Sequence, residues 1–501
     1  MSFLDHAIGY SELRTVQRLS IGKPDTFPGN RRIEITANCE ASVTTPTTQP
    51  LTLSQKLAYG AGDMGPAITS NLLVFFWFPF LTNVVGLSAG VAGSILAISK
   101  IYDALTDPII GVLSDRTKSR WGRRRPWLLF GAIPFGLIFL AQWVIPFPGN
   151  LTAMFWYYLA LSICFSTAFS SVNLPYTALT PELTQDYNER TSLSNFRFAF
   201  SIGGSLVSGV CHPLIVQQFP TNPALGYFAS AALWTVLSVL PLFWCFLGTR
   251  EAYQSDEKSL PILQQIGTAL SNRPYLFVIG IYLCSWLAVQ MTATLIPNYI
   301  TFWMRLPGEW VSYTILAVQG TAFLMLFVWT PVSDKIGKKA VYLIGMVIWI
   351  VAQVGLFTLQ PGQTTLMLVL AVLAGMGVSV AYLIPWSMLP DVIELDELET
   401  GQRREGIFYA AMVLFQKVGI ALGLFIVGQA LDRTGFLSTT TGAAIAQPES
   451  AQLALRILIG PVPTIIIIIS MALTWFYPIT KATHAVVLAQ LAERKRTQEA
   501  S

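Results

Sequence analysis

Long apolar segments constrain this chain more than any other feature. About twelve of them, each long enough to cross a bilayer, lie between residues 57 and 480. Hydrophobic residues make up 53% of the chain and charged residues 12%, whereas soluble domains carry about 25% charged residues. The segments are longer than the strands of a membrane β-barrel and lack the alternation of such strands. The sequence therefore predicts an all-α integral membrane protein with twelve transmembrane helices.

The basic residues predict the topology. With both termini placed inside, most of the 31 Lys and Arg residues fall in the tails and in the loops on that side, as the positive-inside rule requires. We therefore expect a multi-pass protein of the plasma (inner) membrane with both termini cytoplasmic. These loops are short and separated by spans, so we do not expect nucleic-acid binding. The sequence indicates neither an oligomeric state nor a protein partner, and we expect a monomer in the lipid bilayer.

Enzyme chemistry has little support in the sequence. The three histidines, His6, His212 and His484, fall near the tail ends or an outer loop. No nucleophile–base grouping accompanies them, and the five cysteines contain no CxxC pair. We therefore predict that the protein is not an enzyme and has no cofactor and no disulfide framework. We expect no metal site other than one for Na⁺ at Asp103 and Asp107, which are described below.

The spans divide into two groups of six, and features of the first group recur in the second. We predict a disordered cytoplasmic tail over 1–53, an N-terminal bundle over 54–249, a connecting loop over 250–272, a C-terminal bundle over 273–480 and a cytoplasmic tail over 481–501. Whether residues 1–50 belong to the native protein stays open. A repeat in the same direction is expected of a two-bundle transporter with a central site.

The ends of spans two and eight show this repeat. Each has an acidic residue followed by a basic turn that contains glycine, and the residues concerned are Asp115, Arg123, Asp334 and Lys338. Ion pairs at these turns could close one face and break when the bundles rock, so we predict a gating role. The alternative is that the basic turns serve only as topology signals.

Two carboxylates inside span two are the main functional signal. Asp103 and Asp107 are four residues apart, so they share one face of a helix, and Lys100 precedes them by about a turn. A carboxylate in the middle of a membrane helix costs roughly 2.5–3.5 kcal/mol. Two such charges repel each other, so either one is protonated or a cation lies between them. This predicts a binding site for the coupling ion, Na⁺ or H⁺.

Further polar residues in the spans complete the predicted sites. Asn173 and Thr177 could supply neutral oxygen ligands to the cation, and Lys417 could pair with the carboxylates when no ion is bound. The alternative is a buried pair neutralised by Lys100 and Lys417 without any ion. For the solute, the predicted contacts are Arg197, whose guanidinium offers five donors, together with Asp63, Asn173 and Trp386. Arg197 could instead be a structural partner of Asp63, and Trp386 could belong to the core or the interfacial belt.

Several motifs resemble the glycoside–pentoside–hexuronide:cation symporters, a branch of the major facilitator superfamily that includes the melibiose permeases. The resemblance covers about residues 54–480. It rests on Lys56-Leu-Ala-Tyr-Gly-Ala-Gly62, Gly86-Leu-Ser, Tyr102-Asp-Ala-Leu-Thr-Asp-Pro108, Ser119-Arg-Trp-Gly-Arg123 with Pro126-Trp127, and Gln416-Lys417. It implies the major facilitator fold, with two six-helix bundles, and alternating access coupled to Na⁺, H⁺ or Li⁺.

The resemblance also assigns roles to individual positions. The cation carboxylates of the family fall on Asp103 and Asp107, its solute-site arginine on Arg197 and its cation-site lysine on Lys417. Three positions of the sugar site differ from the melibiose permeases. Asn173 replaces a carboxylate of helix four, Thr177 replaces a tryptophan that stacks on the sugar, and Ala67 replaces an acid that binds sugar hydroxyls. The positions that bind the coupling cation in the family are therefore mostly kept, whereas the positions that bind the sugar in the melibiose permeases are largely changed.

We therefore predict a secondary active transporter that couples a small solute, most simply a sugar or glycoside, to a cation. The identity of the solute, the choice between Na⁺ and H⁺ and the direction of net transport stay open. An alternative solute is a lysophospholipid or another amphiphile. It follows from a second resemblance, to the Na⁺-dependent lysophosphatidylcholine symporters, in Pro175-Tyr-Thr-Ala-Leu-Thr180 and Pro385-Trp-Ser-Met-Leu-Pro-Asp391-Val-Ile393. A non-transporting membrane sensor is a further alternative.

Overall fold

The computed structural model describes residues 51–184, 186–251, 267, 269–402, 404–442 and 445–500, and the regular elements in these ranges are all helices. In chain order they are α1 Leu53–Asn83, α2 Ala89–Arg116, α3 Arg125–Gln142, α4 Leu151–Thr177, α5 Tyr187–Val216, α6 Pro223–Gly248, α7 Arg273–Trp303, α8 Glu309–Ile336, α9 Lys338–Thr358, α10 Thr364–Thr400, α11 Glu405–Arg433, α12 Glu449–Phe476 and α13 Lys481–Ala500. Thr180–Leu183 forms a short helical turn after α4.

Eleven of the described helices are long and apolar enough to cross a membrane. The helix that completes the predicted twelve is α2, which has 28 residues. Its central Lys100, Asp103 and Asp107 dilute its apolar character. It nevertheless packs extensively against α4 and α11 and lies within the bundle.

The helices begin where the sequence offers capping groups. Thr52 and Gln55 form a capping box at α1, and Asn150 and Asn222 accept from backbone N–H groups at the starts of α4 and α6. The turns after α2 and α8 contain the glycines noted in the sequence. Gly122 has φ +102° and Gly337 has φ +88°, a conformation that favours glycine.

The packing separates an N-terminal half, α1–α6, from a C-terminal half, α7–α12. Within the first, α2 and α3 pack on α4 and α1 packs on α5. Within the second, α8 and α9 pack on α10 and α7 packs on α12. The halves meet along α2 with α11, α5 with α8, and α1 with α7. The first helix of each half contains a π-helical turn, Leu73–Trp77 and Tyr299–Trp303, which agrees with the predicted internal repeat.

The structure describes only part of the predicted tails and of the predicted connecting loop. Residues 1–50 and most of the connecting loop 250–272 lie outside the described residues. Helix α1 already begins at Leu53, the last residue of the predicted tail. The predicted C-terminal tail is the helix α13 as far as Ala500, and it packs against α10.

Candidate functional site

Asp103 and Asp107 belong to one cluster with residues of two other helices. Ser170 on α4 lies between the carboxylates, its Oγ 3.0 Å from Asp103 Oδ1 and 2.6 Å from Asp107 Oδ1. Lys417 on α11 places Nζ 2.8 Å from Asp103 Oδ2 and pairs with Asp107 Oδ2 as well. Asp103 is only 2% exposed. Three helices thus bring an ammonium, a hydroxyl and two carboxylates together.

The charges in this cluster do not balance without Lys100. Lys417 compensates one of the two carboxylates, while Lys100 Nζ is 3.8 Å from Asp103 Oδ2 and its side chain is 40% exposed. The Ser170 hydroxyl carries one proton, so it can donate to one carboxylate at a time. A proton on the other carboxylate, or a small hard cation among the oxygens, would satisfy the remaining contact. Asp103, Asp107 and Ser170 are the residues that could hold it.

Lys417 also connects the two halves. Asp103 and Asp107 lie on α2 of the N-terminal half, and Lys417 lies on α11 of the C-terminal half. Of the ion pairs between described residues, those of Lys417 are the ones that cross this boundary. A change in charge at the carboxylates would therefore act directly on the contact between the halves.

A cavity of about 380 Å³ lies between the halves beside this cluster. Its lining includes Lys100 and Asp103, so it adjoins the carboxylate cluster. Most other polar groups that line it are uncharged amides and hydroxyls: Ser70, Asn71, Ser99, Gln142, Ser162, Ser166, Ser201, Ser205, Gln290, Gln319 and Gln416. Aromatic side chains, including Phe75, Trp77, Trp286 and Tyr382, complete the wall. Such a lining suits an uncharged solute with many hydroxyl groups.

Four buried polar atoms in this lining have no hydrogen-bond partner among the described residues. They are Gln142 Oε1, Ser162 Oγ, Trp286 Nε1 and Gln319 Oε1. Two belong to the N-terminal half and two to the C-terminal half. Buried polar groups without partners cost about 1–3 kcal/mol each, so a ligand that both donates and accepts would gain by bridging them.

Asp63 and Arg197 face each other near this cavity but do not line it. Arg197 Nε is 3.7 Å from Asp63 Oδ2, which is an ion pair but too long for a hydrogen bond. The guanidinium also lies over the ring of Phe198, 5.0 Å from its centre. Ser201, one helical turn after Arg197, does line the cavity. The predicted substrate contact and the predicted structural pairing of Arg197 therefore both remain compatible with its position.

Asn173 and Thr177, the other predicted cation ligands, do not contact the carboxylates through any described hydrogen bond. Thr177 donates to the carbonyl of Leu174 in its own helix, and the described hydrogen bonds of Asp103 and Asp107 do not include Asn173 or Thr177. Trp386, a predicted solute contact, is not part of the lining of this cavity. Its Nε1 donates to Tyr282 Oη at 3.0 Å and its ring stacks on Tyr409, while Trp286 occupies the cavity wall.

The predicted gating residues of the N-terminal half form a network after α2. Asp115 pairs with Arg124, and Arg123 Nη2 lies 2.7 Å from Glu182 Oε1. Arg124 reaches the same oxygen of Glu182 at 3.2 Å. The backbone N–H groups of residues 123–125 donate to the Glu251 carboxylate. Burial raises the pKa of the Glu182 carboxyl, although the two guanidinium groups oppose this shift.

The equivalent network of the C-terminal half uses different atoms. Lys338 Nζ donates to both oxygens of Asp391, at 2.7 and 2.8 Å. Asp334 contributes its backbone carbonyl, which accepts from Lys481 of α13. Each of these ion pairs joins residues of one half, so they fix the turns within a bundle. The described ion pairs at this face therefore do not form the predicted locks between the two bundles.

Neutral groups join the halves at the opposite face. Asn83 Nδ2 donates to Asn298 Oδ1 at 2.8 Å, and the backbone N–H of Thr439 donates to the carbonyl of Thr82 at 3.0 Å. Deeper in, Gln319 Nε2 donates to Asn71 Oδ1 at 2.6 Å. The halves therefore meet at the face that contains the loop from α1 to α2.

Two of the three histidines lie in described helices. His212 lies about one turn before the end of α5, near the loop to α6, and it is fully buried there, with its Nδ1 2.8 Å from Ser230 Oγ. His484 of α13 lies 2.5 Å from Glu394 Oε2 and 3.4 Å from Asp391 Oδ1. These three groups are close enough to share a metal ion, but Lys338 already holds both oxygens of Asp391.

Sequence reasoning missed Ser170 and Gln142. Ser170 is one of many serines in apolar helices, and nothing in its neighbourhood marks it. The sequence does mark Glu182 and Asp391, since each follows a proline near the end of the equivalent span of its half, in Pro181-Glu182 and Pro390-Asp391, and there it predicts interfacial solvation or an inner gate rather than solute contact. Gln142 reads as the polar end of an apolar segment.

Comparisons with known proteins place the chain among transporters. A family model described as MFS/sugar transport protein matches residues 58–481. An uncharacterized symporter of the cyanobacterium Synechocystis sp. is 44% identical, with 89% of this chain and 98% of that protein covered. The isoprimeverose transporter of Lactiplantibacillus pentosus is 27% identical, with 81% and 87% covered.

Solved structures agree on the fold. The xylose transporter XylE of Escherichia coli, in an inward-open conformation, superimposes with a TM-score of 0.56 at 14% identity, with 86% of this chain and 96% of that chain covered. At this identity the likeness concerns the fold alone. It confirms the predicted major facilitator fold, and the relatives confirm the prediction of a multi-pass membrane transporter rather than an enzyme.

Proposed function

Because the chain belongs to the glycoside–pentoside–hexuronide:cation symporter family of the major facilitator superfamily, we propose that it transports a sugar or glycoside together with Na⁺ or H⁺. The solute and the cation bind between the two halves, which then rock about them. The membrane is the plasma (inner) membrane. The relatives reported above do not favour the lysophospholipid alternative.

The cavity between the halves is the observation that carries this proposal. Amides and hydroxyls dominate its polar lining, and Gln142, Ser162, Trp286 and Gln319 each present a buried polar atom without a described partner. Sugar hydroxyls donate and accept, so one sugar could bridge groups of both halves. The aromatic wall offers contact to the apolar face of a sugar ring. A solute that satisfies both halves at once favours their closure around it.

Exchange of cations at the carboxylates supplies the coupling. Without the coupling ion, Lys417 neutralises part of the Asp103–Asp107 charge. When Na⁺ or H⁺ takes its place, the ammonium is released and an ion pair between α2 and α11 is lost. Lys100 contacts Asp103 and lines the cavity, so it connects the cation site with the solute site.

The orientation follows from the basic turns. Arg123, Arg124 and Lys338 belong to one face, which the positive-inside rule assigns to the cytoplasm. The opposite face, where Asn83 meets Asn298, is then the outer face, and this conformation is closed to the outside. Both termini are cytoplasmic in this orientation.

Thermal unfolding of the purified protein tests the proposal. The panel contains neutral monosaccharides, disaccharide glycosides, uronic acids, sulfonated sugars and lysophosphatidylcholine, each with and without Na⁺ and at two pH values. A ligand at 100 times its Kd stabilises the folded state by about 2.7 kcal/mol. We expect one class of neutral sugars to stabilise the protein, and more so with the coupling ion.

A variant of the cavity makes the test specific. Gln142→Leu should remove the stabilisation by the sugar and leave the effect of the cation. The matched control is Gln218→Leu, since Gln218 is exposed outside the cavity and the change is the same. Stabilisation by lysophosphatidylcholine alone would replace the sugar with an amphiphile. No stabilisation by any solute, together with no uptake into proteoliposomes, would support a sensor and refute transport.

A further inference from the structure

A second and larger cavity lies on the lateral surface of the N-terminal half, away from the C-terminal half. It has a volume of about 660 Å³ and opens sideways between α2, α3 and α4. Phe130, Pro134 and Ile138 form the wall on α3, and Cys164 and Thr167 form the wall on α4. This groove is separate from the central cavity: the two sets of lining residues do not overlap.

The surroundings of the groove show that it faces the hydrocarbon of the bilayer. Phe130 is 64% exposed, and Leu105, Ile109, Ile133 and Leu137 beside it are exposed as well. In a membrane helix such side chains meet lipid tails rather than water. Water is a poor occupant of an apolar groove in that region, so a lipid acyl chain is the occupant the chemistry favours.

The cytoplasmic-loop end of the groove carries positive charge. Thr117, which follows α2, lines this end and accepts from Trp127 Nε1 at 2.9 Å. Arg116, Lys118 and Arg120 flank it and are exposed. None of these three basic residues forms an ion pair within the described part of the chain. A lipid whose tail occupies the groove would place its headgroup among them.

We propose that this groove is a binding site for an anionic phospholipid, with the acyl chain between α2, α3 and α4 and the phosphate at Arg116, Lys118 and Arg120. The proposal does not depend on the transported solute. Basic residues near a membrane surface favour anionic lipids by roughly fivefold each, so the three together select the headgroup while the groove selects the chain.

The site shares a wall with the carboxylate cluster. Tyr102 Oη and Thr167 Oγ1 are 3.1 Å apart on the groove side of α2 and α4. On the inner side of the same two helices, Ser170 bonds to Asp103 at 3.0 Å. A chain held in the groove packs against the outer side of this helix pair. Lipid binding therefore supports the contact that positions Ser170 between the carboxylates.

Native mass spectrometry tests the site. Delipidated protein in mild detergent is mixed with equal amounts of phosphatidylglycerol and phosphatidylcholine that bear the same acyl chains. We expect one phosphatidylglycerol to be retained preferentially. Exchanging Arg116, Lys118 and Arg120 for Gln should lower this preference about tenfold or more. Arg116 is the last residue of α2, Lys118 and Arg120 follow it, and all three side chains are exposed, so this variant tests the headgroup without removing a buried contact.

Filling the groove tests the acyl chain. Cys164→Trp places a large ring in the groove, and Thr152→Trp places the same ring on the exposed face of α4 about 18 Å farther along the helix, away from the groove. We expect the retained lipid to fall several-fold in C164W and to be unchanged in T152W. Elution volume and thermal unfolding in lipid-free detergent show that both variants are folded. Equal retention by the two variants, or equal retention of the two lipids by the wild type, would overturn the proposal.

Discussion

Replacing Lys417 by Gln tests whether an internal ammonium competes with the coupling cation. Gln retains much of the length of Lys but carries no charge. In the wild type, Nζ lies 2.8 Å from Asp103 Oδ2 and also pairs with Asp107. The side chains of Lys417 and Asp103 are 15% and 3% exposed, so solvent screens this pair only weakly.

The expected magnitude follows from the burial of the pair. Removing one partner of a buried ion pair costs about 3–5 kcal/mol, because the other charge stays buried without compensation. The cost applies to the cation-free protein, since a bound Na⁺ or proton compensates the carboxylates with or without Lys417. Because about 1.4 kcal/mol corresponds to a tenfold change in affinity, we expect K417Q to bind the coupling cation at least tenfold more tightly.

The assay is thermal unfolding as a function of Na⁺ concentration, with choline added to hold the ionic strength constant, and as a function of pH without Na⁺. K417Q should be less stable than the wild type without the cation and should reach half of its stabilisation at a much lower concentration. Lys417→Arg retains the charge and is the matched control. An unchanged half-saturating concentration in K417Q, for both Na⁺ and H⁺, would refute competition and leave Lys417 a fixed structural partner.

Three further outcomes test other parts of the molecule. Asp107→Asn should reduce accumulation of solute in proteoliposomes at least tenfold, because it removes one of the two negative charges that attract the cation. The amount of protein in the membrane should stay the same. Gly93→Leu should abolish transport, because a Cβ at Gly93 would lie 2.7 Å from the Leu424 carbonyl oxygen; Gly203→Leu, where nothing lies within 4 Å, should transport normally. Burial raises the pKa of Glu182 in the folded protein, so its contribution to stability is present at low pH and is lost as the pH rises through the folded-state pKa. Glu182→Gln should flatten this part of the pH dependence of thermal unfolding, and an unchanged profile would contradict the assignment.

The sequence was sufficient for the helices and for the pair of carboxylates on α2. Membrane helices must satisfy their backbone internally, so apolar length alone predicts them. The spacing of Asp103 and Asp107 fixes their common face in any helix, whatever surrounds it. That Lys417 reaches the same carboxylates depends on the packing of α2 against α11, which periodicity does not encode. The resemblance to the family, rather than the spacing, implied that Lys417 lies near these carboxylates.

The lining of the cavity between the halves was harder to predict because it depends on the rotation of each helix. Trp386 and Trp286 are both aromatic residues in apolar spans, yet Trp286 lines the cavity while Trp386 bonds to Tyr282. Neutral amides such as Gln142 carry no charge that would mark them in a span. Sequence reasoning therefore favours charged residues and overlooks the neutral groups that make up most of this cavity's polar lining.

The distribution of charge between the halves explains why the carboxylate cluster can control them. At the face that contains the loop from α1 to α2, the described hydrogen bonds between the halves join neutral groups, as between Asn83 and Asn298, so they do not respond to a cation or to moderate changes of pH. The described ion pairs at the basic turns, such as that of Lys338 with Asp391, stay within one half. Among the described ion pairs, charge crosses the boundary at Lys417. Neutralising Asp103 and Asp107 therefore removes an ion pair between the halves, and it also changes the contacts of these carboxylates with Lys100 and Ser170 inside the N-terminal half.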